Sequence, residues 1–123
     1  VATGSSGTIL TSTNGTSWDN GTSGISNSLY GVTYANSTFV ATGDSGTILN
    51  SSDGSTWISR TITLDNGTTT NYTTNDLNDI TYGNSTFVAT GSSGTILTSS
   101  DGSTWTSRTS GTSNTLNGIT YIE

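Results

Sequence analysis

The chain has 123 residues, a length that suits one domain with a modest core. Its only cations are Arg60 and Arg108 against eight carboxylates, a net charge of −6 that leaves no surface for nucleic-acid phosphates or anionic lipid. No Cys is present to build a disulfide framework, and no apolar run approaches the ~20 residues of a membrane span.

Apolar residues make up only 28% of the sequence, a share that by itself would suggest disorder. Trp, Tyr, Phe, Ile and Thr nevertheless recur at fixed intervals, and Thr has the branched side chain that suits a pleated strand. A folded repeat is the better reading. No secretory leader is visible, and the expectation is a mature chain, an excerpt of a longer one or a cytoplasmic protein.

From the amino end, "VATGSSGTIL" reads as two strands parted by a glycine-rich turn. "TSTNGTSW" then turns the chain into "TSWDN", a further strand. After a polar link, "LYGVTYA" is a strand anchored by Leu29, Val32 and Tyr34, and "NST" turns it into "STFVATG". The series then repeats: "VATGDSGTIL" from Val40 and "VATGSSGTIL" from Val88, with tryptophans at 57 and 105. "LNDITYGNSTF" from Leu77 and "LNGITYIE" from Leu116 answer "LYGVTYANSTF". Three units follow, 1–39, 40–87 and 88–123, within one repeat domain over 1–123. Trp57 and Asp79 are 22 positions apart, whereas Trp18 and Gly31 are 13 apart; the surplus falls in 61–79, "TITLDNGTTTNYTTND" and its flanks, read by composition as a loop. The expected class is all-β with four short strands per unit.

"SSDGSTW" at Ser51–Trp57 resembles the Asp-box, the hairpin signature of bacterial neuraminidase repeats. Ser51, Asp53, Gly54, Thr56 and Trp57 match that pattern with one residue fewer before the tryptophan, and Ser99, Asp101, Gly102, Thr104 and Trp105 match likewise. The first unit keeps Ser12, Gly15 and Trp18 but has Asn14 for the Asp and Ser17 for the Thr. The surrounding "TFVATGDSGTILNSSDGSTW" is similar to blades of photosystem assembly-factor-type β-propellers. The resemblance implies three four-stranded propeller-like blades, with Ser12, Asn14, Trp18, Ser51, Asp53, Trp57, Ser99, Asp101 and Trp105 as structural staples rather than catalytic groups. Chemistry agrees, since Asp or Asn before Gly bonds its own turn and the Trp adds bulk that Thr-rich strands lack. A β-trefoil, also three units of four strands, is the alternative.

In blade terms the sequence opens on a second strand and closes on a first strand. Propellers have about 4–8 blades, so three units call for completion by a neighbouring chain. The expected assembly strands carry Val1, Ala2 and Thr3 at one end and Leu116, Ile119 and Tyr121 at the other.

Candidate chemistry is sparse. His, Cys and Lys are absent, which removes the common general bases and most activated nucleophiles. Sialidase chemistry would need an arginine cluster with a tyrosine nucleophile, and Arg60 and Arg108 occupy equivalent places in separate units. Asp65, Asp76 and Asp79 share the expanded stretch but lack calcium-loop spacing. No enzyme, cofactor or metal is expected. Asn-x-Ser/Thr occurs at Asn14, Asn20, Asn36, Asn50, Asn66, Asn71 and Asn84, as candidate N-glycosylation sites or simply as polar turns in a chain with 51 Ser and Thr.

The expected role is a non-enzymatic structural protein, self-assembling head to tail into an extracellular or cell-surface fibre or oligomeric propeller, with covalent glycans as an added feature. The other reading is a propeller or trefoil module that binds glycan or protein through 61–79, where Tyr72 is an aromatic contact. A photosynthetic assembly-factor role follows the family resemblance but meets no basic patch.

Overall fold

A computed structural model describes residues 1–63, 69–70 and 74–123. Among these the chain is all-β. The first sheet holds β1 (Ala2–Thr3), β2 (Ile9–Thr11) and β3 (Asp19–Asn20). The second holds β4 (Leu29–Ala35), β5 (Thr38–Gly43), β6 (Ile48–Ser51) and β7 (Ile58–Ser59). The third is the meander β10 (Leu77–Gly83), β11 (Thr86–Gly91), β12 (Ile96–Ser99) and β13 (Trp105–Arg108). Consecutive strands pair antiparallel in each, and none of the sheets closes on itself.

The stretch 61–79, expected to be loop, is partly strand. β8 (Ile62–Thr63) and β9 (Thr69–Thr70) pair antiparallel, and β8 runs parallel to β13, with Ile62 opposite Trp105. Ile62 supplies the reason: it is buried in the core beside that strand, and burial outweighs the polar composition around it. Residues 71–73 and 64–68, which include Asp65, Asn66, Asn71 and Tyr72, lie outside the described residues. At the carboxyl end, 109–123 has no regular secondary structure, because its "LNGITYIE" lies beside the third sheet without entering a ladder.

Two kinds of turn set the register. Asn36–Ser37 and Asn84–Ser85 join the first two strands of the second and third sheets, with φ of 49° and 57°, then 48° and 58°. Positive φ at both central residues is what a type I′ hairpin needs, and Asn meets it more readily than Ser. The next junction is a tight turn at Ser5–Gly7, Asp44–Gly46 and Ser92–Gly94. In each the following Thr hydroxyl and amide both donate to the carbonyl of the turn's first residue.

The core lies between sheets. Val40 and Ile48 of the second sheet join Leu77, Ile80, Phe87, Leu97 and Trp105 of the third in one cluster. Ile9 of the first sheet joins Leu29, Ala41 and Leu49 of the second in another. Aromatic rings extend this apolar surface across strands. Tyr34, Phe39 and Trp57 stack in series at centroid separations of 4.4 and 6.3 Å, and Tyr82, Phe87 and Trp105 at 4.7 and 6.3 Å. Each buried face therefore needs the neighbouring sheet to cover it, which suits a chain with few apolar residues.

Ser37 and Ser85 bear a left-handed backbone that glycine adopts without a Cβ penalty. Replacing either by Gly should raise stability by about 1 kcal/mol, read as a higher urea midpoint with unchanged slope. A lowered midpoint would show that the serine hydroxyls matter more than the backbone.

Candidate functional site

The tryptophan turns share one bonding scheme. In Ser51–Trp57 the Ser51 hydroxyl accepts the Asp53 and Gly54 amides at 3.3 and 2.8 Å and donates to Asp53 Oδ1 at 3.0 Å. Asp53 Oδ1 then accepts the Ser55 and Thr56 amides, both at 2.8 Å. Trp57 Nε1 closes the turn on the Gly54 carbonyl at 3.0 Å. Ser99, Asp101 and Trp105 repeat every bond, and so do Ser12, Asn14 and Trp18 with an amide in place of the carboxylate. Every one of these bonds is internal to its turn.

Position in the array grades the tryptophans. Trp105 is fully buried, Trp57 half-buried and Trp18 45% exposed. The Trp105 and Trp57 turns dock on the sheet before them. A Cβ on Gly102 would lie 2.9 Å from Val40 and 3.3 Å from Thr38, and one on Gly54 would lie 3.4 Å from Val1 and from Phe39. At Gly15 nothing lies within 4 Å. Asn50 reinforces the docking between the second and third sheets. Its buried amide donates to the Gly102 carbonyl at 3.1 Å and to Ser103 Oγ at 2.9 Å, while its oxygen accepts Arg60 Nε at 2.8 Å. As a sequence, Asn50 is only a glycosylation candidate; in the folded chain its amide is committed to this bridge. Its bridging role could have been suspected because Thr11 and Thr98 stand at its place in the other units. Asn14, Asn20, Asn36 and Asn84 are exposed.

Other hydrogen-bonded charged side chains lie in the second and third units. Arg108 Nε donates to Thr98 Oγ1, the equivalent in the next unit of the Arg60–Asn50 contact. Asp76 accepts the Ser45 amide and Asp79 accepts the Ile80 and Ile119 amides. Among the described residues no group of three or more His, Cys, Asp or Glu could hold a metal, and no helix is long and apolar enough to cross a membrane.

Two further features are the outer side of β1 and the segment 116–123. Ala2 and Thr3 pair with Leu10 and Ile9, and the other side of β1 is the free edge of the first sheet; Val1 lies just outside the strand. In the two four-stranded sheets that side is taken by β4 or β10, and there a glycine is obligatory. A Cβ on Gly43 would meet the Ser28 carbonyl at 2.0 Å, and one on Gly91 the Asp76 carbonyl at 1.9 Å. At the matching Gly4 a Cβ would meet only Thr8, at 3.7 Å. The Asp44 and Ser92 amides bond those same carbonyls at 2.9 Å.

The second is the 116–123 segment, which lies beside the third sheet outside any ladder. The Leu116 amide donates to the Gly91 carbonyl at 2.9 Å, as the Leu29 amide donates to Gly4. Asn78 Nδ2 donates to the Leu116 carbonyl, the Ile119 amide bonds Asp79, and the Tyr121 ring lies over Gly83. Leu116, Ile119 and Tyr121 thus sit against the third sheet as β4 sits against the first, with Tyr121 45% exposed. Sequence reading singles out both segments, and Asp79 only as one of three carboxylates without calcium-loop spacing; it does not single out Gly4.

The bonding also sets an acid response. Amide donors from Thr56 and Ser55, with the Ser51 hydroxyl, hold the Asp53 carboxyl below its ordinary value of 3.8; Thr104 and Ser103 amides do the same for Asp101. Because both folded values are depressed, the stabilisation is present above about pH 3.8 and is lost as pH falls through the lowered values. Asp53→Asn with Asp101→Asn, which copies the Asn14 turn, should therefore flatten the fall of the thermal midpoint below pH 4. Parallel curves for variant and parent would refute the assignment.

Compared with protein-family models, curated proteins and solved structures, the chain matches none of them.

Proposed function

We propose that this is a non-enzymatic structural repeat protein whose sheets are blades of a propeller-like array, and that copies assemble head to tail by exchanging a first strand. Support for blades comes from successive four-stranded meanders with core between neighbours, and from β4 packed against β10. A trefoil would pool strands of all units in one closed barrel, whereas each sheet here stays open.

Gly4 carries the assembly reading. Glycine is demanded at 43 and 91 by the crossing of the sheet's own first strand, and among the described residues nothing makes that demand at 4. The segment 116–121 has the sequence of such a first strand. In the register of β4 on β5, Leu116 of one copy would face Gly4 of the next, Gly118 would face Thr3, and Ile119 would face Ala2. The Thr115 carbonyl would then accept the Ser5 amide as Ser28 accepts that of Asp44. Backbone bonds of this kind give affinity without any charged or strongly apolar patch. If the rotation closes, two copies form a ring; if it does not, a fibre results. An extracellular setting with glycans on exposed Asn14, Asn20, Asn36 or Asn84 accompanies this reading, since none of these four amides lies at a buried sheet contact.

Light scattering and negative-stain microscopy should find oligomers or fibres of the 123-residue chain, and deletion of 116–123 should yield monomers. Gly4→Ala should do the same while keeping the parent's thermal midpoint, because its methyl has room in the single chain. A monodisperse monomer of 12.6 kDa for the parent would end the assembly reading. On material from the native source, intact mass should fall on deglycosylation; an unmodified mass would remove the glycans from it.

A further inference from the structure

The exposed Trp18 turn is a second, separate surface, and its chemistry resembles that of two turns already covered. Three contacts cover the Trp105 turn: Val40 and Thr38 of the preceding sheet against Gly102, Asn50 across to Ser103, and the outgoing link of the preceding sheet alongside, with Ile62 opposite Trp105. The Trp57 turn has a lighter version, with Val1 against Gly54 and Thr22 bridged in parallel to Thr56. In both, the cover comes from the sheet one step earlier in the array.

Among the described residues no sheet covers the Trp18 turn, yet a surface matching the one that covers the Trp105 turn is present on the third sheet. Val88 and Thr86 on β11 are the counterparts of Val40 and Thr38, Thr98 is the counterpart of Asn50, and Thr109 follows Trp105 by the same four positions as Thr22 follows Trp18. Val88 is only half-buried, whereas Val40 is fully buried under the Gly102 turn.

We infer that the Trp18 turn is a docking surface for a second copy of this chain, whose β11 covers Gly15 and whose Thr109 runs beside Ser17. This rests on the strand-exchange reading and adds to it, because the same partner that lends 116–121 presents this face. The donor's segment is anchored on its own third sheet through Gly91 and Asp79, so insertion at β1 brings β11 toward the Trp18 turn. Polarity follows: the third sheet of each copy meets the first sheet of the next. Truncating a buried aromatic anchor is commonly among the costliest changes at an interface, so Trp18→Ala should weaken association about 30-fold.

Cysteine pairing tests this directly, since the parent has none. Asn50 and Ser103 side chains meet at 2.9 Å within the chain, and Thr98 and Thr16 are their counterparts across the inferred interface. Thr16→Cys chains mixed with Thr98→Cys chains should form disulfide-linked heterodimers under mild oxidation, and neither variant alone should form an equal amount. Deleting 116–123 from the Thr98→Cys partner should suppress that product. Oligomers that need 116–123 but give no Thr16–Thr98 disulfide would overturn this docking and leave strand exchange standing. A parent chain that stays monomeric would overturn both.

Discussion

In a chain with so few apolar residues, the tightest constraint is the turn that each tryptophan closes. One serine hydroxyl and one Asp or Asn oxygen take up four consecutive-region backbone amides, so the turn is rigid before any neighbour arrives. Each such bond is worth about 1 kcal/mol net, and leaving a buried amide unmet costs more. The tryptophan nitrogen returns to the same turn, which fixes where its ring can lie. The large ring then reaches Phe39 or Phe87 and ties the outer strand to the sheet's own second strand. That Asn14 reproduces the scheme shows that it needs an oxygen acceptor at this place, not a charge.

Rigid turns make sheets, but packing between sheets makes the domain. Both apolar clusters draw on two sheets each, and the Asn50 bridge and the parallel pairing of β8 with β13 join the same neighbours. Stability is therefore shared between adjacent units, as in solenoids and other stacked arrays. A nearest-neighbour arrangement has an inherent consequence at its ends. Whatever surface one unit uses to receive the next recurs on the last unit, and whatever it uses to dock recurs on the first. Trp18, 45% exposed, and Trp105, fully buried, are the same residue of the repeat in two different neighbourhoods.

Local features of the fold were legible. Gly, Asn and Ser clusters marked the hairpins, and Asn36 and Asn84 do lie on turns. The bonding of Ser51 to Asp53 could be anticipated, because a short polar side chain reaches its own turn whatever the rest of the chain does. Non-local features were not legible. Composition made 61–79 a loop, since only a distant strand, β13, gives Ile62 a place to be buried. Asn50 reads as a surface sequon because the Gly102 and Ser103 partners of its amide lie more than fifty residues away. The segment 116–123 reads as a strand by its residues, yet a strand exists only as half of a pair.

The amino-acid order alone determined the repeat, the all-β class and the self-bonded turns. The turns depend on side chains within about four positions of one another, and the repeat on the recurrence of the same residues one unit later. Tertiary structure alone decided which tryptophan is covered, which asparagine is a bridge, and which glycine has a strand across it. Gly4, Gly43 and Gly91 sit in the same sequence, yet a methyl group would find 3.7 Å of room at the first and collide at the other two. The difference is the presence of β4 and β10, and neighbours in space are fixed by how units pack rather than by what each unit contains.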